Sequence, residues 1–182
     1  LELIHSPNDN AVTLLQIIDK TLTPMGARML KKWMVLPLKE KVMIEERLSV
    51  VKYFIDNEEL GENIKHCLRE MGDVERLVSK IATSKISPRE VVQLARSLRA
   101  IEKVKNYCSQ TDLASLKKIG EQLNPCLSVC ERIEKEIVED PPVAVNKGRV
   151  FAKGVDAELD TLSSLATNSK QILADIQRRE SE

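Results

Sequence analysis

Apolar positions along the chain recur in steps of three and four, and strand-like alternation is nearly absent, so the pattern predicts helices. Leu14, Ile17 and Ile18 form a short stripe. Thr23 before Pro24 reads as an N-cap with proline at the first helical position. The helix opening there places Met25, Met29, Leu30, Trp33 and Met34 on one half of the wheel, and Arg28, Lys31, Lys32 and Val35 on the other. Pro37 stops it. Over 40–56, Ile44, Leu48, Val51 and Ile55 fall at i, i+4, i+7 and i+11 and predict a third helix. "DNEELGENIKHCLREM" predicts a shorter one, whose acidic start suits the helix dipole. Asp73 opens another that buries Val74, Leu77, Val78 and Ile81. Ser87 and Glu90 make a capping box around Pro88. Behind it runs a long stripe of Val91, Leu94, Ala95, Leu98, Ile101 and Val104. Two further helices are predicted over 112–122 and 124–138.

The helical pattern breaks at "EDPPVAVNKGRVFAKG". "PVAV" and "RVFA", joined by "NKG", predict a small β-hairpin. Asp156 then caps a final helix, along which Leu159, Leu162, Ala166, Ser169, Leu173 and Ile176 form a narrow, coiled-coil-like seam. Helical to Glu182, it would be roughly 40 Å long. "QRRESE" holds no glycine or proline, so this helix reads as cut off, with its partner strand missing. The expected architecture is mainly α: a multihelical bundle over 1–154 with one β-hairpin, and a long C-terminal helix over 155–182.

Composition narrows the function. Hydrophobic residues are 42% and charged residues 31%, which fits neither disorder nor a membrane protein. No apolar stretch approaches bilayer length, and the first residues do not read as a signal peptide. Lys+Arg and Asp+Glu both number 28, so no whole-chain field attracts nucleic acid. At 3% aromatics, a base-stacking platform is excluded as the main function. Cys67, Cys108, Cys126 and Cys130 lack the paired knuckles of a zinc site and read as small residues on helix faces. There is no phosphate loop, no G-x-G-x-x-G, no H-E-x-x-H and no G-x-S-x-G. Asp156, Glu158 and Asp160 read as dipole compensation at a helix start. No catalytic site is expected.

One local patch remains. From Lys20 to Lys41, Lys20, Arg28, Lys31, Lys32, Lys39 and Lys41 stand against Glu40 alone. Such a cluster can meet phosphates. A solvated face balanced by Glu45, Glu46 and "DNEE" is the favoured reading, because the net charge is zero.

The stretch 1–38 carries Asp19, Thr21, Thr23, Pro24, Met25, Gly26, Arg28, Leu30, Trp33, Pro37 and Leu38 in the arrangement D-x-T-x-T-P-M-G-x-R-x-L-x-x-W-x-x-x-P-L. It resembles the opening of the core domain in the MutS family of DNA mismatch-repair proteins. "GDVERLVSKIATSKISPREVVQLARSL" looks like a later segment of that domain, and "DAELDTL" like the start of its first lever helix. The resemblance covers essentially the whole chain. It implies a helical core sending out two antiparallel levers toward a clamp that touches the DNA backbone, with only the outgoing lever present here. The implied role is mechanical, coupling nucleotide state to clamp position.

ATP and Mg would belong to the full-length parent, and this stretch would hold no cofactor. Mismatched duplex DNA, a second MutS subunit and MutL would be partners of that parent, in the bacterial cytoplasm beside the nucleoid. Among the family-matching residues, Asp19, Thr23, Pro24, Met25, Gly26, Arg28, Trp33 and Pro37 would be structural. Trp33 would wedge into the bundle, and Gly26 would admit a neighbouring helix. Lys31 and Lys32 are the candidates for facing DNA. The isolated chain is expected to bind duplex DNA weakly or not at all and to hydrolyse no ATP. The alternatives are a family paralogue acting in recombination, a standalone helical adaptor and a small DNA-binding module.

Overall fold

Capping side chains set the helix starts. Thr23 Oγ1 accepts from Gly26 N at 3.0 Å, opening α2 (Pro24–Val35) after the short α1 (Leu14–Ile18). Leu36, kept out of the helical region ahead of Pro37, ends α2. α3 (Lys41–Asp56) and α4 (Glu58–Glu70) meet at Asn57. Asp73 caps α5 (Val74–Ala82) by accepting from Arg76 N at 3.2 Å. Ser87 and Glu90 form the complete capping box of α6 (Pro88–Gln110). α7 (Ala114–Gln122), α8 (Leu127–Glu136) and a 3₁₀ turn (Val145–Lys147) lead to α9 (Ala157–Glu180). There Asp156 Oδ1 accepts from Leu159 N at 2.9 Å. The computed structural model describes residues 3–8 and 11–180, without the side chains of 167, 170–177 and 180. Leu173 and Ile176 of the expected seam thus lie outside the described residues.

α6 is the hub, packing against α4, α5, α7 and α8. The core joins Leu77 of α5, Leu94 and Leu98 of α6 and Cys130 of α8, with Val74 and Ile101 against them. Each fully buried leucine contributes about 1.5–3 kcal/mol relative to exposure. Cys67, Cys108 and Leu116 extend this interior toward α4 and α7. All four cysteines are free thiols, and burial pushes Cys67, Cys108 and Cys130 above the ordinary thiol range. They behave as small hydrophobes. Ser97 Oγ donates to Gln93 O at 2.7 Å and accepts from Gly72 N at 3.0 Å, pinning the α4–α5 link onto α6. The Arg99 guanidinium grips both carboxylate oxygens of Glu134 at 2.9 and 2.7 Å, tying α6 to α8.

The expected β-hairpin does not form, and the described residues contain no strand. "RVFA" returns instead against the end of α8. Ile137 and Phe151 form a single antiparallel bridge. Val138 N donates to Val150 O at 3.0 Å, and Ala152 N to Glu136 O at 2.8 Å. Two causes displace the pairing. Pro141 and Pro142 have no N–H for a ladder. Arg89 Nε also draws Pro141 O onto α6 at 2.8 Å. "NKG" is not a hairpin tip either, because Val145–Lys147 coils into the 3₁₀ turn. α8 is shorter than the spacing predicts for a related reason. Val138 is drawn into the bridge, and Cys126 ahead of the helix has a left-handed backbone with φ 47°.

Candidate interaction face and the anchoring of α2

Asp19 shapes the turn between α1 and α2. Its Oδ1 accepts from Thr21 N at 3.0 Å and Thr21 Oγ1 at 2.7 Å. The Thr21 hydroxyl, foremost, holds the Asp19 carboxyl below its ordinary pKa. Gly26 keeps this turn tight. A Cβ there would stand 3.1 Å from Thr23 Oγ1 and 3.4 Å from Thr21 Cβ. Its crowding partners are therefore the cap and the preceding turn of its own segment, not a neighbouring helix as expected from the sequence.

Arg28 anchors α2 to α5. Nη1 and Nη2 donate to Asp73 Oδ2 and Oδ1 at 2.8 and 2.7 Å, and Nε donates to Glu75 Oε2 at 3.0 Å. Asp73 thus caps α5 and receives Arg28 at once. Hydrogen bonding from Arg28, foremost, lowers the Asp73 carboxyl to about 2 and raises the Arg28 guanidinium further. An equivalent join follows at the next turn, where Lys80 of α5 pairs with Glu90 of the α6 capping box. That pairing and the Ser87 N–H bring Glu90 to about 2.

Trp33 is not wedged in the bundle. It is 43% exposed, and the Arg47 guanidinium of α3 lies 3.6 Å from its ring centroid. Such a cation–π contact at an open site contributes about 0.5–1 kcal/mol. α2 turns Ala27, Leu30 and Met34 inward and leaves Met29 and Trp33 outward. The apolar half-wheel named from the sequence is therefore split, while Arg28, Lys31, Lys32 and Val35 of the other half are all exposed. Pro24 and Pro37 are exposed and Met25 is half-buried.

α3 departs furthest from expectation. Its sequence carries two apolar rows. Val50, Tyr53 and Phe54 are half-buried, and α3 packs on α4 and α7. The row that the spacing selects is the exposed one: Leu48 is 60% and Ile55 70% exposed, and Ile44 and Val51 are exposed to a lesser degree. α1 adds Ile17, 60% exposed, and α2 adds Val35, with Leu36 just beyond its end. On α5, Val78 and Ile81 are exposed as well. Isolated surface hydrophobes are normal, but a whole exposed row, as on α3, makes that side of the helix a candidate interaction face. Lys31 and Lys32 are exposed, and neither has an ion-pair partner among the described residues.

Among the described residues no group of three or more His, Cys, Asp or Glu side chains converges as a metal site would. No helix of the described residues is long and apolar enough to cross a membrane.

Together these features define a mainly helical domain: a small bundle around α6, exposed apolar positions on α1, α2 and α3, and a long C-terminal helix. The family model for MutS domain III matches residues 1–181. The DNA mismatch repair protein MutS of Bacteroides fragilis is 54% identical over all 182 residues, that of Phocaeicola vulgatus 53% and that of Flavobacterium johnsoniae 47%. In each case the whole chain is covered, and it spans 21% of the relative's length. The chain belongs to the MutS family of DNA mismatch-repair proteins and corresponds to its domain III.

Proposed function

We propose that this domain is the mechanical core of a mismatch-repair protein, coupling an ATPase domain elsewhere in the polypeptide to a DNA clamp. In this reading 1–154 is the core and 155–182 the outgoing lever. The observation that carries it is the second apolar row of α3, Ile44, Leu48, Val51 and Ile55, which the described residues leave exposed. A scaffold that transmits force needs surfaces on which other parts rest in two discrete arrangements. Leu159, Leu162 and Leu165, also exposed, give α9 a comparable open face.

Mismatched duplex DNA, a second MutS subunit, MutL, ATP and Mg engage the whole polypeptide in this account, in the cytoplasm beside the nucleoid. The chain alone binds duplex DNA weakly or not at all, with Lys31 and Lys32 as the secondary candidates for phosphate contact. The relatives are named for mismatch repair, which favours repair over a recombination paralogue, and family membership displaces the standalone adaptor.

The test places Leu48→Glu in the whole polypeptide. ATP hydrolysis without DNA persists, while the nucleotide's effect on mismatch binding falls from the roughly 5–150-fold typical of coupled sites toward none. Coupling of unchanged size would contradict the reading.

A further inference from the structure

We propose that Arg149, Asp160 and Gly154 form a latch that sets the direction in which α9 leaves the core. The chain reaches α9 through the loop after the Ile137–Phe151 bridge, so this loop is fixed to α8 at its start. Arg149 Nε donates to Phe151 O at 2.9 Å, and its Nη2 pairs with Asp160 Oδ1 in the first turn of α9. The other carboxylate oxygen, Oδ2, accepts from Gly154 N at 2.7 Å. One carboxylate thus ties the helix to both sides of its own entry loop.

Gly154 is what lets the loop close on that carboxylate. Its φ is +91°, a conformation that a Cβ would strain, although a Cβ would meet no atom within 4 Å. The requirement is therefore conformational and not one of space. The second independent observation is a groove of about 510 Å³ beneath the helix. It runs between Val145, Val150 and Phe151 on the loop side and Leu159 and Ala166 on α9. α9 is not packed down onto its base, and the principal helix pairs of the bundle do not include it.

Leverage makes a small latch matter. The 24 residues of α9 span about 36 Å at 1.5 Å per residue. A turn of roughly 10° at the root moves the far end by about 6 Å on that length. Arg149 and Asp160 are positioning residues in this proposal: they select one direction for a helix that is not among the principal packed pairs of the bundle. The proposal rests on reading α9 as a lever, yet the two can fail separately. The latch is tested within this chain, whether or not α9 transmits anything.

The test uses spin labels on the native exposed thiol of Cys126 and on an introduced Asn168→Cys, both exposed, while Cys67, Cys108 and Cys130 are buried. The unsubstituted chain gives a narrow inter-label distance distribution. Asp160→Ala and Arg149→Met each widen it about twofold or more with helix content unchanged by circular dichroism. The double variant is no wider than either single one, because each removes the same latch. Arg149 lies outside α9, so Arg149→Met decides the matter where Asp160→Ala fails to fold. Distributions of unchanged width in Arg149→Met, or widening accompanied by loss of helix content, would overturn the latch.

Discussion

Arg28 shows how one side chain joins two elements whose separation in sequence hides the join. Its partners Asp73 and Glu75 lie 45 and 47 residues away. A helical wheel assigns Arg28 to a solvated face, because a wheel sees only its own helix. Thr23 was legible for the opposite reason: its hydrogen bond to Gly26 N spans three residues. Thr23→Ala should cost about 1 kcal/mol of unfolding free energy, read by urea titration. The Asp73 and Glu90 carboxyls both stand at about 2 in the folded chain. Their ordinary values are roughly 4. A depressed folded value contributes stability that is complete above the unfolded value and lost as pH falls through the folded one. The melting temperature should therefore be insensitive to these groups above about pH 4.5 and fall between there and about pH 2. Arg28→Met returns Asp73 toward its ordinary pKa, so this variant starts lower at neutral pH and falls less steeply in acid.

At the scale of elements, helix existence was written in caps and spacing, while helix orientation was not. Thr23 with Pro24, Asp73, Ser87 with Glu90 and Asp156 each open a helix where the sequence says. α3 has apolar rows on two sides, so periodicity alone could not choose between them. The chain buries part of the row holding Val50, Tyr53 and Phe54 and leaves the cleaner row outside. α6 was legible because its single long stripe leaves no second choice. Leu98→Ala should therefore cost about 2–5 kcal/mol, whereas Leu48→Ala should stay within about 0.5 kcal/mol in this chain, both by denaturant unfolding. Trp33 is the only tryptophan, which makes the orientation of α2 directly observable. Its emission should be red-shifted and easily quenched by acrylamide, and a blue-shifted, protected signal would place it in the bundle after all. The lost hairpin carries the same lesson. "RVFA" does pair as an extended segment, but Arg89 and the prolines decide with what.

For the molecule as a whole, the proposed coupling role rests on the exposed apolar positions of α1, α2 and α3. The chain spans 21% of its relatives' length, and in the proposed reading the rest of such a polypeptide surrounds it. The rows would then be lined by other parts of that polypeptide and shielded from water, gaining about 25 cal/mol per Å² of apolar area covered. Family membership was legible in the 1–38 stretch, but the face was not, since no sequence pattern separates a row awaiting a partner from a row already in a core. The most direct test is hydroxyl-radical footprinting of Met29 and Trp33 of α2 and Met43 and Leu48 of α3, all exposed, in this chain and in the whole polypeptide. All four should be oxidised readily in the chain and protected severalfold in the whole polypeptide, while exposed Lys31 and Lys32 change little. Equal reactivity of the four in both settings would contradict the account.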